Sequence, residues 1–161
     1  MRRMLTMVLV PILFAMFVSA TDLPLLEGPL TGNEILTELA PYKKAFLDYQ
    51  PDKFALASIK DLGNVEIYVF FGSWCSDSQE YVPRFMKILK TLSFPEERTY
   101  YIAVNREKED PEGLAAEKMI EKVPTFIVIR DGLEIGRIVE QPDKSLEKDL
   151  AAILGQPAPA D

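Results

Sequence analysis

Histidine is absent from the sequence, and cysteine occurs once, at Cys75, among 161 residues. Without histidine the chain cannot build a Ser-His-Asp triad, a Cys-His pair or a zinc site with histidine ligands. With one cysteine it cannot close a disulfide within itself. The sequence therefore excludes several of the commonest hydrolytic and zinc-dependent chemistries.

Positive charge is also scarce, since 18 Lys and Arg face 25 Asp and Glu, for a formal net charge of −7. An acidic chain lacks the electrostatic footprint for nucleic acid or anionic lipid, and we expect neither as a partner. The chain is 48% hydrophobic and 27% charged, which is typical of a globular protein, and its length suits a single domain.

The first twenty residues have the pattern of a secretory signal peptide. Arg2 and Arg3 give a positive start, residues 5–18 are mostly apolar, and Val18-Ser19-Ala20 offers small residues for a signal peptidase. We predict cleavage after Ala20 and a periplasmic or extracellular location. An uncleaved membrane anchor is the disfavoured alternative, because the apolar run is short for a bilayer span and contains Pro11. A lone cysteine in an exported protein indicates a free reactive thiol or an intermolecular link.

Hydrophobic periodicity divides the rest of the chain into helices and strands. An extended leader reaches residue 30, and Thr31-Gly32-Asn33-Glu34 has the spacing of a capping box that opens a helix. That helix is predicted to be interrupted or restarted at Pro41. The other predicted helices cover residues 54–62, 74–92, 114–120 and 145–154, and the predicted strands cover residues 65–71, 99–104, 125–130 and 133–139.

This order of elements predicts an α/β fold, with a central mixed sheet, helices on both faces and an N-terminal helical extension. Two strand–helix–strand connections indicate parallel strands, and Asp131-Gly132 predicts an antiparallel hairpin. The predicted segments are a signal peptide at 1–20, a leader and helical extension at 21–63, an α/β domain at 64–155 and a flexible tail at 156–161.

The candidate functional residue is Cys75, which follows the strand at 65–71 and opens a helix. The unpaired N–H groups of a helix N-terminus favour a thiolate, which makes Cys75 a candidate nucleophile. A buried, inert thiol is the alternative interpretation. Asp77 opposes the thiolate as a neighbouring carboxylate and also suits the helix N-terminus. Ser78, one turn further, either donates a hydrogen bond to the sulfur or only helps to start the helix.

The residues at the turning points of the chain resemble the thioredoxin superfamily. Trp74-Cys75 resembles the start of the family's W-C-x-x-C motif, and Pro83 is similar to its helix proline. Val123-Pro124-Thr125-Phe126 resembles the cis-proline loop that faces the cysteine. Asp131-Gly132 with Gly136 matches the final hairpin. Residues 72–89 also resemble a bacterial subgroup of exported thioredoxin-like proteins with W-C-x-D-S. The resemblance implies a thioredoxin-like fold for residues 64–155.

Three residues depart from the family's pattern. Ser78 stands where the second cysteine is expected, Val69 replaces a buried acid, and Ala103 replaces the lysine that pairs with that acid. The sequence therefore lacks the resolving thiol and the proton-transfer pair. It favours monothiol exchange, isomerase-like or deglutathionylating, over dithiol oxidation or reduction.

The resemblance implies roles for six residues. Cys75 and Ser78 are the candidate catalytic residues, and the candidate substrate-binding residues are Trp74, Asp77, Val123 and Pro124. The expected partners are a disulfide-bearing or thiol-bearing protein and a small thiol of the glutathione type, with no cofactor and no metal. The competing hypothesis is a non-catalytic binding module that uses the Val123-Pro124 edge. Two other interpretations are disfavoured: a calcium site in the acidic loop at 107–112, which has the wrong spacing, and a peroxidase, which would need threonine in place of Gly72.

Overall fold

The structure is a computed structural model, and it describes residues 23–59 and 62–156. The predicted signal peptide, its cleavage site and most of the predicted tail lie outside the described residues. Among the helices within these ranges, none combines the length and the apolar character that crossing a bilayer requires.

A five-stranded mixed sheet forms the centre of the fold. The strands are β1 (Gly28–Leu30), β2 (Val65–Phe71), β3 (Thr99–Ala103), β4 (Thr125–Arg130) and β5 (Leu133–Val139), in the spatial order β1-β3-β2-β4-β5. The helices are α1 (Gly32–Glu38), α2 (Ala40–Asp48), α3 (Lys53–Leu56), α4 (Ser76–Thr91), α5 (Leu114–Glu117) and α6 (Leu146–Leu154), with a 3-10 turn at Glu96–Arg98. The predicted α/β class and mixed sheet are confirmed.

One strand direction differs from the prediction. β2 and β3 are parallel, as the first crossover requires, but β4 runs antiparallel to β2. The reason is the kind of connection between β3 and β4, residues 104–124, in which α5 has only four residues and is about 6 Å long. So short a helix does not carry the chain back along the sheet. The chain returns to the sheet at the end of the strands where β3 finishes, and β4 therefore starts beside the end of β2.

The N-terminal helices belong to the same hydrophobic core as the sheet. Thr31 and Glu34 form the predicted capping box, and the restart before Pro41 separates α1 from α2. The fully buried Ile35 and Tyr42 pack in one cluster with Val69 of β2. The predicted helix at 54–62 is shorter than expected, because Ser58 donates to Ala55 O and competes with the helical pattern beyond Leu56.

The two faces of the sheet are covered by different elements. One face packs α1, α2, α4 and α6 against the inward side chains of β2 and β4, including the Phe85–Phe126 pair with ring centroids 4.4 Å apart. Such an aromatic pair contributes about 0.5–1.5 kcal/mol beyond its buried area. The opposite face is covered by α5 and the segment up to Val123, which pack on Phe70 and Ile127. The second face is the side on which Trp74 and Cys75 join the packing.

Candidate functional site

The turn between β2 and α4 places Cys75 at the start of the helix. Cys75 N–H donates to Gly72 O at 3.0 Å and closes the turn, and Gln79 N–H donates to Cys75 O as the first helical bond. Cys75 is thus the N-cap of α4, and its side chain caps no backbone N–H. The thiol is free and half-buried. It lies at the end of the helix toward which the unpaired N–H groups point.

Trp74 folds back over this turn. A Cβ atom added to Gly72 would lie 2.6 Å from Cε2 of the Trp74 indole, so only glycine leaves room for the ring. The indole Nε1–H donates to Val104 O at 3.0 Å, just beyond the end of β3. The Gly-Ser-Trp-Cys sequence therefore fixes the indole against the backbone of its own turn and next to the thiol.

Ser73 ties the turn to the N-terminal segment, a link that no sequence pattern indicated. Its side chain is fully buried, its hydroxyl donates to Pro24 O at 2.7 Å, and its Oγ accepts from Leu26 N–H at 3.1 Å. Ser73 O accepts from the Gln79 side-chain amide at 3.2 Å. Both sides of the turn are thereby held in place.

Val123 faces Cys75 across the site. The Cys75 thiol donates to Val123 O at a sulfur–oxygen distance of 3.4 Å. The Val123–Pro124 peptide bond is cis. Pro124 O accepts from Glu140 N–H at 2.7 Å, and the Thr125 hydroxyl donates to Lys122 O at 2.7 Å, so this loop is held on both sides. The structure thus brings together Trp74, Cys75, Val123 and Pro124, as the resemblance implied.

The structure also places the other two predicted site residues, Ser78 and Asp77, both in the first turn of α4. No hydrogen bond joins Ser78 to Cys75 within the described residues; the buried Ser78 Oγ instead accepts from Gly72 N–H at 3.2 Å. The helix turns Ser78 inward, toward the backbone of the turn, and its observed role is to fasten that turn. Asp77 is half-buried in the first turn of α4, the position in which a carboxylate complements the helix dipole.

The positions of the family's buried acid and lysine are apolar here. Val69 and Ala103, at the positions of the family's acid and lysine, are both fully buried. A buried titratable group at this turn is Tyr42 of α2, whose hydroxyl donates to Gly72 O over a long 3.4 Å. Burial first, and then the charge of Cys75, raise the pKa of Tyr42. Sequence reasoning missed this residue because it lies on the apolar face of a helix.

The acidic loop after β3 is organised by its own hydrogen bonds. Asn105 Oδ1 accepts from Glu107 N–H at 3.0 Å and from Glu109 N–H at 2.9 Å. The Asp110 carboxylate accepts from Ala115 N–H at 2.7 Å and from Glu112 N–H at 3.0 Å. In the part of the chain that the structure describes, no three metal-ligating side chains come together.

Arg106, in the same loop, lies over the Trp74 ring, with its guanidinium carbon 5.1 Å from the ring centroid. Cations attract the negative face of an indole at this range. Arg106 itself is exposed. No pattern in the sequence indicates this contact, because 32 positions separate the two residues and Arg106 belongs to no recognisable spacing.

Comparison with known proteins shows which relatives this chain resembles. Thioredoxin AMT13 of Alternaria alternata is 31% identical over 113 residues, which cover 70% of this chain and 90% of that protein. An H-type thioredoxin of Fagopyrum esculentum is 30% identical over 98 residues, covering 60% of this chain and 78% of that protein. The X-ray structure of Fasciola hepatica thioredoxin is 23% identical, with a TM-score of 0.37, and the match covers 54% of this chain and 75% of that chain. No protein-family model matches the sequence.

A mixed sheet with helices on both faces carries a Trp-Cys pair at the N-terminus of α4, opposite Val123-Pro124. This is a thioredoxin-like fold, and at 31% identity over 90% of a thioredoxin the chain belongs to the thioredoxin family.

Proposed function

We propose that this protein exchanges disulfides through the single thiol of Cys75. The observation that carries the proposal is the position of that thiol. It is half-buried at the N-terminus of α4, with its sulfur 3.4 Å from the backbone oxygen of Val123. Membership of the thioredoxin family supports thiol–disulfide chemistry at this turn.

The proposed reaction begins with attack of the Cys75 thiolate on one sulfur of a disulfide in a partner protein. A sulfur–sulfur bond to Cys75 forms as the partner's own disulfide breaks, and the leaving thiolate takes a proton from solvent. The product is a mixed disulfide. An extended segment of the partner would lie along the backbone of Val123, by the strand-addition mode, with Trp74 beside it.

Release of the product requires a second thiol. Ser78 has no sulfur, and the hydroxyl oxygen of Ser78 is engaged by Gly72 N–H. A thiolate of the partner, or a small thiol of the glutathione type, therefore attacks the mixed disulfide and regenerates Cys75. The sum is an exchange of disulfides without net oxidation of this chain. Isomerase-like exchange and removal of glutathione from a protein both fit this requirement.

The second candidate is a non-catalytic binding module. Three residues favour it. Val69 and Ala103 are both buried and apolar, and the Ser78 hydroxyl oxygen accepts a hydrogen bond from Gly72 N–H within the turn. In this alternative a partner binds at the Val123-Pro124 edge and no covalent bond forms. The two candidates differ in one property, the dependence of partner capture on the sulfur atom.

The deciding experiment compares the wild-type chain with Cys75→Ser and Cys75→Ala, using a glutathionylated peptide as substrate. We expect a glutathione adduct on the wild-type protein, detected by mass spectrometry without reductant, and none on either variant. Because the chain has one cysteine, each molecule carries at most one adduct. Ser78→Ala serves as the matched control and should keep the adduct. A native Cys75 that resists thiol reagents near neutral pH, with unchanged peptide binding in Cys75→Ala, would establish the binding module instead.

We also propose that the protein works outside the cytoplasm, in the periplasm or beyond the cell. The proposal rests on the pattern of residues 1–20, with its paired arginines and apolar run. N-terminal sequencing of the protein from a fractionated host tests it. A mature N-terminus at Thr21 in the exported fraction is the expected result, and an intact Met1 in the cytoplasm would refute it.

A further inference from the structure

We infer that Arg106 selects the substrates of Cys75: it binds a carboxylate that lies close to the substrate's reacting sulfur. The inference rests on the proposed function, because it names the class of disulfide that the thiol attacks. That class is the anionic one, disulfides of thiols that carry a carboxylate near the sulfur.

The first observation is the position of the guanidinium. Arg106 stacks on Trp74 at 5.1 Å from the ring centroid. Trp74 is itself fixed by its bond to Val104 O, and the backbone after Asn105 is held by the Asn105 side chain. Trp74 and Cys75 pack in one cluster. The cation therefore lies over the residue that precedes the thiol in the chain.

The second observation is that this cation has no carboxylate partner among the residues that the structure describes. The ion pairs of the described residues join Lys44 to Asp48, Arg84 to Glu80, Lys118 to Glu117, Lys122 to Glu140 and Arg137 to Glu134. Arg106 forms none of them, although it stands next to Glu107 in an acidic loop. Lys122, the residue before Val123, is already neutralised by Glu140 at 2.6 Å.

These two observations define what Arg106 can recognise. A guanidinium offers a planar fork of donors that matches a carboxylate, and stacking on an indole leaves those edge donors available. The protein as a whole carries a net charge of −7 and repels anions. The cation of Arg106, stacked on Trp74, offsets that repulsion where the sulfurs meet. Glutathione and acidic peptide segments both supply the required carboxylate.

The test measures alkylation of Cys75 by two reagents of similar size, the anionic iodoacetate and the neutral iodoacetamide, at low ionic strength. One unit charge about 6 Å away in water changes the local concentration of an anion by about threefold. We therefore expect Arg106→Gln to lower the ratio of the iodoacetate rate to the iodoacetamide rate about threefold. Lys108→Gln removes the same charge two residues further along the loop and should change the ratio of the two rates much less.

The outcomes separate this inference from the proposed function. Failure of iodoacetamide to label the native wild-type thiol would count against the proposed function. Normal labelling with an unchanged ratio in Arg106→Gln would overturn the role of Arg106, as would equal slowing of both reagents or an equal effect of Lys108→Gln.

A second measurement follows mixed-disulfide formation with glutathione disulfide and with the uncharged 2-hydroxyethyl disulfide. Arg106→Gln should slow only the first. A disulfide-linked acidic peptide, compared with its neutral counterpart, shows whether larger substrates are selected in the same way. If Arg106→Gln kept the wild-type preference for both anionic substrates over their neutral counterparts, the inference would be contradicted.

Discussion

The contact between Gly72 and Trp74 leads to a sharp prediction about Gly72→Ala. The new Cβ would lie 2.6 Å from Cε2 and 2.9 Å from Cζ2 and Nε1 of the indole, well inside the ordinary contact distance. The ring must move, and its bond to Val104 O must stretch or break. Overpacking costs about 1–3 kcal/mol and a lost hydrogen bond about 1 kcal/mol. We expect a loss of about 2–4 kcal/mol in the free energy of unfolding.

A double-mutant cycle isolates the cause. In a Trp74→Ala background the colliding ring is gone, so adding a methyl group at Gly72 should cost less than about 1 kcal/mol. The measurements are urea unfolding of the four proteins followed by circular dichroism, because two of them lack the only tryptophan. In Gly72→Ala alone, the emission of Trp74 should also shift to the red as the ring leaves its site. Equal costs of Gly72→Ala in the two backgrounds would refute the reasoning.

Two further predictions concern the buried tyrosines and the missing second cysteine. Burial raises the pKa of Tyr42 and Tyr101 above the ordinary value of 10.0. The unfolded chain therefore releases these protons first, so the contribution of these two tyrosines to the free energy of unfolding is constant below about pH 10 and should fall above it by up to about 1.4 kcal/mol per pH unit for each tyrosine. Urea unfolding at several alkaline pH values measures this loss, and a flat profile would contradict it. Ser78→Cys should create a dithiol that closes a disulfide with Cys75 on oxidation, at a cost of about 1 kcal/mol for the lost bond to Gly72. Thiol counting before and after oxidation checks it, and two persistent free thiols would exclude it.

Local patterns were enough to predict most of the elements. The capping box at Thr31 is present, and the predicted strand at Val65–Phe71 has the observed bounds. These features depend on residues close together in sequence, which is why periodicity and capping rules reach them. The direction of β4 was not predictable in the same way, because it depends on how far a connection must travel across the folded sheet. The length of the α5 helix decided it, and helix ends are where local patterns are weakest.

The same distinction applies to the site. Cys75 and its neighbours were found because the family's motif names them. Ser73, Tyr42 and Arg106 were not found, because their contacts span 47, 30 and 32 positions. For Ser78 two roles were open, and its bond from Gly72 N–H was in neither, since the sequence does not show which side of a helical turn faces the thiol.

The short strand Gly28–Leu30 has a consequence for association between molecules. It pairs with β3 along a sheet edge that would otherwise present unpaired backbone groups. An open edge of that kind invites another chain to add a strand, the first step of many aggregates. A three-residue strand offers little length for further addition, and the exposed Pro29 in its centre has no N–H to donate. Residues 28–30 thus cover one edge of the sheet and disfavour aggregation of the folded chain by strand addition.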